Sequence, residues 1–307
     1  MEIFLQQLIN GLVQGSIYAL VALGYTMVYG IMGLINFAHG EVVMIGTLVT
    51  ITVTGLLVQA GLPLAVAGLA GVMVAVLLCM ALGFGLERVA YRPLRNAPRL
   101  TPLITAIGMS IILQNLAMIA WGRHYIPFPV LLPKGQFEIA GASITTVQIL
   151  IVLISGAMMA GLMALIYRTK LGMAMRATAQ NPQVARLMGV NVDRVIAAAF
   201  VIGSALGAVA GVLVGTYYEI AHYQMGFMLG LKAFTAAVLG GIGNVAGAMV
   251  GGLLLGLIEA LGAGYIGDLT GGFLGSHYQD VFAFMVLIGV LMFRPSGLFG
   301  EKTGDRA

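Results

Sequence analysis

The chain has 307 residues, of which 60% are hydrophobic and only 8% are charged, and its mean hydropathy is +1.02. This composition excludes a soluble globular protein and is typical of a polytopic α-helical membrane protein. The net charge of +4 is explained by Lys and Arg held in cytoplasmic loops rather than by a nucleic-acid-binding face. The single cysteine, Cys79, lies in an apolar run, which argues against a disulfide framework or a cysteine metal cluster.

The apolar runs predict an all-α membrane fold with about nine hydrophobic helical segments, the range being eight to ten, in one transmembrane domain over residues 1–307. In chain order the segments are about 8–35, 42–60, 62–86, 100–121, 147–167, 195–217, 227–243, 245–265 and 278–293. Glycines interrupt the first and the seventh, which leaves open whether these two are broken or re-entrant. A glycine-rich outer loop precedes the last segment, and a short charged tail follows it.

The basic loops give the orientation of the spans. The loop at 87–99 carries four arginines and one acid, and the loop at 168–194 carries five basic residues and only Asp193 as an acid. Two spans separate these loops, so both lie on the same side, which we predict to be cytoplasmic. The loop that holds Arg123, His124 and Lys134 is then expected outside.

The loop at 168–194 contains signals for a short helix at 182–188. Asn181 can cap its N-terminus, and Pro182 suits the first helical position, where no N–H is needed. Gly189 suits a left-handed C-cap, and Asn191 or Asp193 can cap the next long helix. A small basic helix between two spans predicts a docking surface, although spacing alone leaves a simple connector equally open.

Glycine patterns suggest two further features. The sixth segment has glycine at 203, 207, 211 and 215, which predicts one helix face built for close packing in lipid. The stretches at 33–40 and 241–248 each combine glycine and asparagine between two hydrophobic segments. This similarity suggests a weak internal repeat around a central pathway, with chance as the alternative in a glycine-rich chain.

Four ionisable residues lie in or near apolar segments, and a charge at bilayer depth is costly unless it is paired. They are His39, Glu41, Lys232 and Glu259. We expect Glu41 at a cytoplasmic membrane boundary, where it is solvated. Lys232 and Glu259 can pair across neighbouring segments, or Lys232 can extend to the membrane surface instead. These charges are too few for a proton relay, which argues against an ion-driven carrier.

Motifs for enzymatic chemistry are missing from the sequence. His39-Gly-Glu41 lacks the second histidine of a zinc-protease helix, there is no P-loop, and no serine has a paired base. We therefore expect no catalytic residues, no metal site and no cofactor bound by this chain.

In order along the chain, several stretches together resemble a known family. They are Tyr25-Thr-Met-Val-Tyr-Gly30, Ile35-Asn-Phe-Ala-His-Gly-Glu41, Glu87-Arg-Val-Ala-Tyr-Arg-Pro-Leu94, Ala106-Ile-Gly-Met-Ser110, residues 176–191, residues 232–243 and Arg294-Pro-Ser-Gly-Leu-Phe-Gly300. The whole chain is similar to LivH-type permease subunits of high-affinity branched-chain amino acid ABC transporters in the bacterial inner membrane. A urea or short-chain amide permease of the same superfamily remains the alternative. A less favoured rival is an ATP-independent carrier or channel.

The resemblance implies a set of partners. They are a second LivM-type permease, two cytoplasmic ATPase subunits that bind ATP–Mg, and a periplasmic amino-acid-binding protein. It also implies that the loop at 176–191 docks on an ATPase, although Gln180 stands where such loops often begin with an acid. The docking residues are predicted to be Arg176, Asn181, Pro182, Ala185, Arg186, Met188 and Gly189. The predicted pathway or hinge residues are Asn36, His39, Gly40, Glu41, Lys232, Gly240, Gly241, Gly243, Asn244 and Glu259.

Overall fold

The computed structural model describes residues 2–95, 97–98, 100–131, 135–139, 141–269 and 278–300. The expectations for Arg99, for Lys134, for most of the glycine-rich outer loop and for the charged tail at 301–307 concern residues outside these ranges. Within them the chain is helical almost throughout, with four short strands. The predicted all-α membrane fold is confirmed.

Nine apolar helices account for most of the described chain, which agrees with the prediction of about nine segments. Seven are long and apolar enough to cross a membrane, and two are shorter. The helices are α1 Glu2–Met32, α2 His39–Gln59, α3 Leu64–Leu86, α4 Leu100–Trp121, α5 Thr146–Arg168, α6 Lys170–Gln180, α7 Pro182–Leu187, α8 Val192–Tyr218, α9 Met225–Gly240, α10 Val245–Leu269 and α11 Gln279–Phe293. Helix α3 continues through a π-helical turn at Glu87–Tyr91 and a 3₁₀ turn at Arg92–Leu94. The short apolar helices are α9 and α11, and α6 and α7 form the loop at 168–194.

Hydropathy alone did not predict the smaller elements. Helix α6 carries its polar residues on one side and so gives no apolar run. Strand β1, Ile126–Pro127, pairs with β4, Ile220–Ala221, and β2, Gln136–Ile139, pairs with β3, Ala142–Thr145. These strands are too short for a period-two pattern to be read from the sequence.

Helix α1 is the centre of the fold and is buried along most of its length from Gly11 to Val28. It packs most extensively against α10, with glycine on both sides of the crossing. Gly15 lies against the backbone of Leu253, and Gly256 lies against the backbone of Gly15. Backbones that touch leave no room for a Cβ atom, and such close approach is how helices gain packing energy in lipid.

The glycine face of α8 packs as predicted. Its four glycines meet α1, α2 and the segment after β1 in succession. The nearest groups are Gly24 for Gly203, His39 for Gly207, Val43 for Gly211 and Phe128 for Gly215. Because the order along α2 follows the order along α8, these two helices run parallel.

Large apolar side chains remain exposed on α3, α4, α5 and α11. They include Leu69, Leu77, Ile104, Ile119, Leu153, Ile288 and Met292. A surface of this kind is suited to lipid or to another hydrophobic subunit.

The described loops lie at two ends of the helix bundle. We use the name basic face for the end that contains residues 87–95, residues 169–191 and Arg294. Arg92 and Arg95 bind Asp193 with N–O distances of 2.7 and 2.5 Å, which joins the two basic loops. At the opposite face Gln6 bonds with the backbone of Ser143, which ties the start of α1 to the β2–β3 hairpin. The predicted placement of both basic loops on one side is confirmed.

Candidate functional site

Helix α7 has the predicted boundaries to within one residue. The side-chain oxygen of Asn181 accepts hydrogen bonds from the N–H groups of Gln183 and Val184 at 3.0 and 3.1 Å, and Pro182 occupies the first position. Gly189 follows with a φ of +84°, a left-handed conformation that glycine adopts without steric cost. Asn191 then caps α8 through the N–H of Arg194. The sequence therefore predicted this local structure correctly.

The side chains of α7 divide into an anchor and an exposed surface. Ala185 is buried in a cluster with Tyr91 and Phe200. Four of the exposed residues of α7 and of the turn after it project from the basic face, and we name them the docking patch: Val184, Arg186, Leu187 and Met188. Leu187 is 86% exposed and Met188 is 79% exposed, so the patch is apolar with one basic residue. Their role in docking stays a prediction.

Arg176, like Asn181 and Ala185, is engaged within the chain rather than free to contact a partner. Its guanidinium donates to the backbone oxygen of Ile166 and lies 5.2 Å from the ring centre of Tyr167. This contact braces the junction between α5 and α6. Arginine at this position thus holds the loop in place, a role that loop charge alone could not reveal.

The turn between α1 and α2 leads the chain back into the membrane. Asn36 accepts hydrogen bonds from the N–H of Ala38 at 3.1 Å and from the hydroxyl of Tyr91 at 2.8 Å. The next helix begins at His39, whose ring lies against Gly24 and against Gly207 near the middle of α8. Helix α2 therefore starts level with the middle of α8 rather than at the end of the helix bundle.

The prediction of a solvated boundary position for Glu41 is wrong. Glu41 is fully buried, and its Oε1 accepts hydrogen bonds from Ser110 at 3.0 Å and from Gln114 at 2.8 Å. Ser110 lies near the middle of α4, which places the carboxylate at mid-membrane depth. The error arose because the inward turn at 33–38 is a tertiary feature that hydropathy does not show.

The first turn of α9 meets the first turn of α2 at this depth. The backbones of Gly40 and Gly226 are in contact, and a Cβ atom on Gly226 would lie 2.7 Å from Oε2 of Glu41. Gly230 lies against the hydroxyl of Tyr25. The two backbones are too close to admit a Cβ atom, so positions 40 and 226 require glycine. Two helix N-termini thus converge on one buried carboxylate.

A cavity of about 560 Å³ adjoins this point, between α4 and α9. Its polar wall contains Ser110 and Gln114, the two residues that bind Glu41, and Tyr25 also contributes. The other lining side chains are mainly apolar. Sequence analysis assigned no role to Gln114, which is uncharged, and it noted Ser110 only as the end of a stretch that carries the family resemblance.

Lys232 and Glu259 form the predicted contact, so the alternative of an extended Lys232 is wrong. Their N–O distance is 3.0 Å, and Asp280 lies 2.7 Å from the same ammonium group. The hydroxyl of Tyr18 donates to Glu259 at 2.8 Å. Sequence reasoning missed Tyr18 and Asp280, since the former is an ordinary helical residue and the latter lies beside a predicted span boundary. We name these four residues the charged cluster.

The predicted hinge at 240–244 is a turn held by hydrogen bonds. Gly241 and Gly243 have φ values of +108° and +94°. Asn244 accepts from the N–H of Gly247 at 3.0 Å and donates to the oxygen of Phe299 at 2.9 Å. The backbones of Leu298 and Phe299 also bond to the end of α9, at Leu239 and Gly240. Hinge motion and the proposed repeat stay predictions.

For metal binding, the described residues hold no group of three or more His, Cys, Asp or Glu side chains in a suitable arrangement.

Comparison with known proteins gives full-length similarities. The chain is 50% identical over 310 residues to the high-affinity branched-chain amino acid transport system permease protein BraD of Pseudomonas aeruginosa, covering 99% of this chain and 98% of that protein. It is 48% identical over 312 residues to the LivH permease protein of Escherichia coli strain K12, covering 99% and 97%. A probable LivH permease of Methanocaldococcus jannaschii is 28% identical over 306 residues, covering 95% and 91%.

The family model described as the permease component of branched-chain amino acid transport systems matches residues 7–291. That range spans every apolar helix of the bundle described above, from α1 to most of α11. The expected family, and with it a transport subunit rather than an enzyme, is confirmed by these matches. The chain belongs to the family of permease components of branched-chain amino acid transport systems.

Proposed function

We propose that this chain is the permease subunit of an ABC importer that moves branched-chain amino acids across the bacterial inner membrane. The observation that carries the proposal is similarity over almost the whole chain to two permeases of that description. The membrane-spanning helix bundle and a cavity at mid-membrane depth support it. In this proposal, ATP binding and hydrolysis on partner ATPases open the pathway alternately to each side of the membrane.

The proposed partners are a second, LivM-type permease, two cytoplasmic ATPases that bind ATP–Mg, and a periplasmic amino-acid-binding protein. The docking patch supports an ATPase at the basic face, since its apolar residues project from the fold. The exposed apolar surfaces of α3, α4, α5 and α11 leave ample area for a second permease.

A chain of contacts links the docking patch to the mid-membrane site. Ala185 of α7 packs in one cluster with Tyr91. Tyr91 donates to Asn36, and Asn36 holds the turn that leads to His39 and Glu41. In this proposal, an ATPase that moves α7 shifts Tyr91 and thereby the start of α2. Such a contact chain is a physical hypothesis, and coupling energies must test it.

Purification and reconstitution test the function. The chain, tagged and extracted gently from its native membrane, should copurify with a P-loop ATPase and a second hydrophobic permease. With its binding protein, the purified assembly in proteoliposomes should take up L-leucine only with ATP. Recovery of the chain alone, with ATP-independent transport, would contradict the proposal. Uptake of urea or acetamide but not leucine would support the alternative substrate class.

The docking patch has a matched test. We expect Met188→Asp to reduce ATPase copurification and ATP-driven leucine uptake about tenfold, because an unpaired charge in an apolar contact costs more than 1 kcal/mol. Met173→Asp is the control, since Met173 is an exposed methionine of the adjacent α6. Equal ATPase recovery from both variants, with equal membrane levels, would show that the docking patch is not the contact.

A further inference from the structure

The cavity between α4 and α9 has the size and lining of a small-molecule site. Its volume of about 560 Å³ lies within the range of roughly 300–1,000 Å³ seen for ligand pockets. Ile111, Phe227 and Met228 supply much of its apolar lining, and Ser110 and Gln114 form a polar end. A pocket with one apolar wall and one polar end fits an amphiphilic ligand.

Glu41 lies behind this polar end with half of its carboxylate unsatisfied. Ser110 and Gln114 both donate to Oε1. Oε2 is buried and accepts no hydrogen bond from the described part of the chain. The contrast with Glu259 is direct, because that carboxylate has Lys232 at 3.0 Å, whereas the described residues place no cation on Glu41.

Opposing effects act on the ionised form of Glu41, because burial disfavours the charge and nearby donors stabilise it. The N-termini of α2 and α9 meet beside it, and each carries a partial positive charge. Two side-chain donors add to this stabilisation. A buried negative charge that lacks a cation still carries a desolvation cost of several kcal/mol. A cation from outside the chain, such as an ammonium group, would offset that cost and would give Oε2 a partner.

We propose that this cavity is an amino-acid-binding site within the permease itself. The ligand is an aliphatic α-amino acid, with its ammonium group at the Ser110–Gln114–Glu41 end and its side chain against Ile111, Phe227 and Met228. This inference rests on the proposed function, because an amino acid is the solute that the importer would carry.

The first turn of α9 accounts for the other end of the zwitterion. Gln224 is the N-cap residue of α9 and lines the cavity, but its side chain makes no capping hydrogen bond. The N–H of Met225 already donates to the backbone oxygen of His222 at 3.1 Å, so the later N–H groups of that turn are the ones that would donate to the ligand's carboxylate. A free carboxylate and a free ammonium are both needed for this fit.

Binding without the binding protein is the test. The complete transporter in lipid nanodiscs should bind radiolabelled L-leucine, and N-acetyl-L-leucine, which lacks the ammonium group, should not displace it. Glu41→Gln keeps the shape and should weaken binding at least tenfold. Ile111→Trp should fill the cavity and abolish binding. Leu116→Trp is the control, since Leu116 is an exposed residue of the same α4 outside the cavity.

Uptake by the wild-type transporter distinguishes failure of the proposed function from failure of the proposed amino-acid-binding site. If wild-type proteoliposomes take up leucine with ATP but Glu41→Gln and Ile111→Trp match the wild-type maximal rate, the proposed function stands and the site is overturned. A lipid chain held in the cavity of a transporter that binds no leucine would also overturn it. If wild type takes up no leucine, the proposed function itself fails. If Glu41→Gln does not fold, Ile111→Trp against Leu116→Trp decides.

Discussion

Glu259 shows how this chain stabilises a charge inside the helix bundle. It is 1% exposed, yet it contacts a cation, Lys232, and accepts a hydrogen bond from Tyr18. Asp280 adds a second carboxylate to the same ammonium group. Removal of Lys232 leaves both carboxylates without their shared cation, and this loss lowers the free energy of unfolding.

Lys232→Met should therefore destabilise the protein by about 3 kcal/mol, because two carboxylates lose their shared cation. The double variant Lys232→Met/Glu259→Gln should recover part of that loss, since the deepest charge is removed as well. Thermal unfolding of the purified chain in detergent measures both. A double variant that is less stable than Lys232→Met would contradict a predominantly electrostatic role.

The hydroxyl of Tyr91 offers a test of the contact chain to the membrane centre. Tyr91→Phe removes only the hydrogen bond to Asn36, so the fold and ATPase binding should be kept. We expect leucine transported per ATP hydrolysed to fall by about half or more. Tyr167→Phe is the control, because Tyr167 is exposed on α5. An unchanged ratio in Tyr91→Phe would remove this bond from the coupling mechanism.

For single residues, the sequence predicted which side chains matter more reliably than it predicted what surrounds them. Lys232 and Glu259 stood out because each is a charge within an apolar run. Glu41 was noticed for the same reason, but its depth depends on the inward turn before α2. Ser110, Gln114 and Tyr18 were missed because uncharged polar residues are common in membrane helices and only packing shows what they bind.

Among the elements, the crossing of α1 and α10 depends on glycine. A Cβ atom on Gly256 would collide with the backbone of Gly15, and backbone cannot move aside as a side chain can. Gly161 of α5 has open space around its Cα atom. The two positions therefore form a matched pair for substitution.

We expect Gly256→Ala to destabilise the protein by about 1–3 kcal/mol, because the two helices must separate to admit the methyl group. Gly161→Ala should cause no loss, since alanine is the better helix former. The midpoint of thermal unfolding in detergent distinguishes them. Equal midpoints would mean that the α1–α10 crossing tolerates separation.

Helix boundaries were predictable where capping chemistry marks them. Asn181, Pro182 and Gly189 defined α7 to within one residue because each satisfies a specific backbone requirement. Helix α6 was not predicted, because it is an amphipathic surface helix and forms no apolar run. The inward turn at 33–38 was not predicted either. It depends on the hydrogen bond between Asn36 and the distant Tyr91, and such a contact gives no pattern in the local sequence.

For the whole molecule, the two ends of the bundle differ in charge. The described basic residues of the loops lie mostly at the basic face, while Arg123 lies at the opposite face. The positive-inside rule then places the N-terminus and the β2–β3 hairpin outside. Loop composition alone predicted that the two basic loops share one side and that Arg123 lies on the other, and the ion pairs from Arg92 and Arg95 to Asp193 explain why the basic loops stay together.

Cysteine labelling tests the orientation. The native Cys79 is fully buried, so the wild-type chain should react little with a membrane-impermeant maleimide. Met188→Cys should be labelled only from the cytoplasmic side, and Phe137→Cys, on exposed β2, only from the outside. Intact cells compared with inverted vesicles provide the two conditions. Labelling of Met188→Cys in intact cells would reverse the topology.

The charged cluster also has a consequence for biosynthesis. Lys232 leaves the ribosome before either of its carboxylate partners, and α9 is a short helix of 16 residues. A lone lysine at the centre of a span opposes insertion by about 3 kcal/mol. Helix α9 should therefore be a poor membrane segment during translation and should enter the bilayer stably only after α10 and α11 deliver Glu259 and Asp280. The last third of the chain thus inserts as one unit.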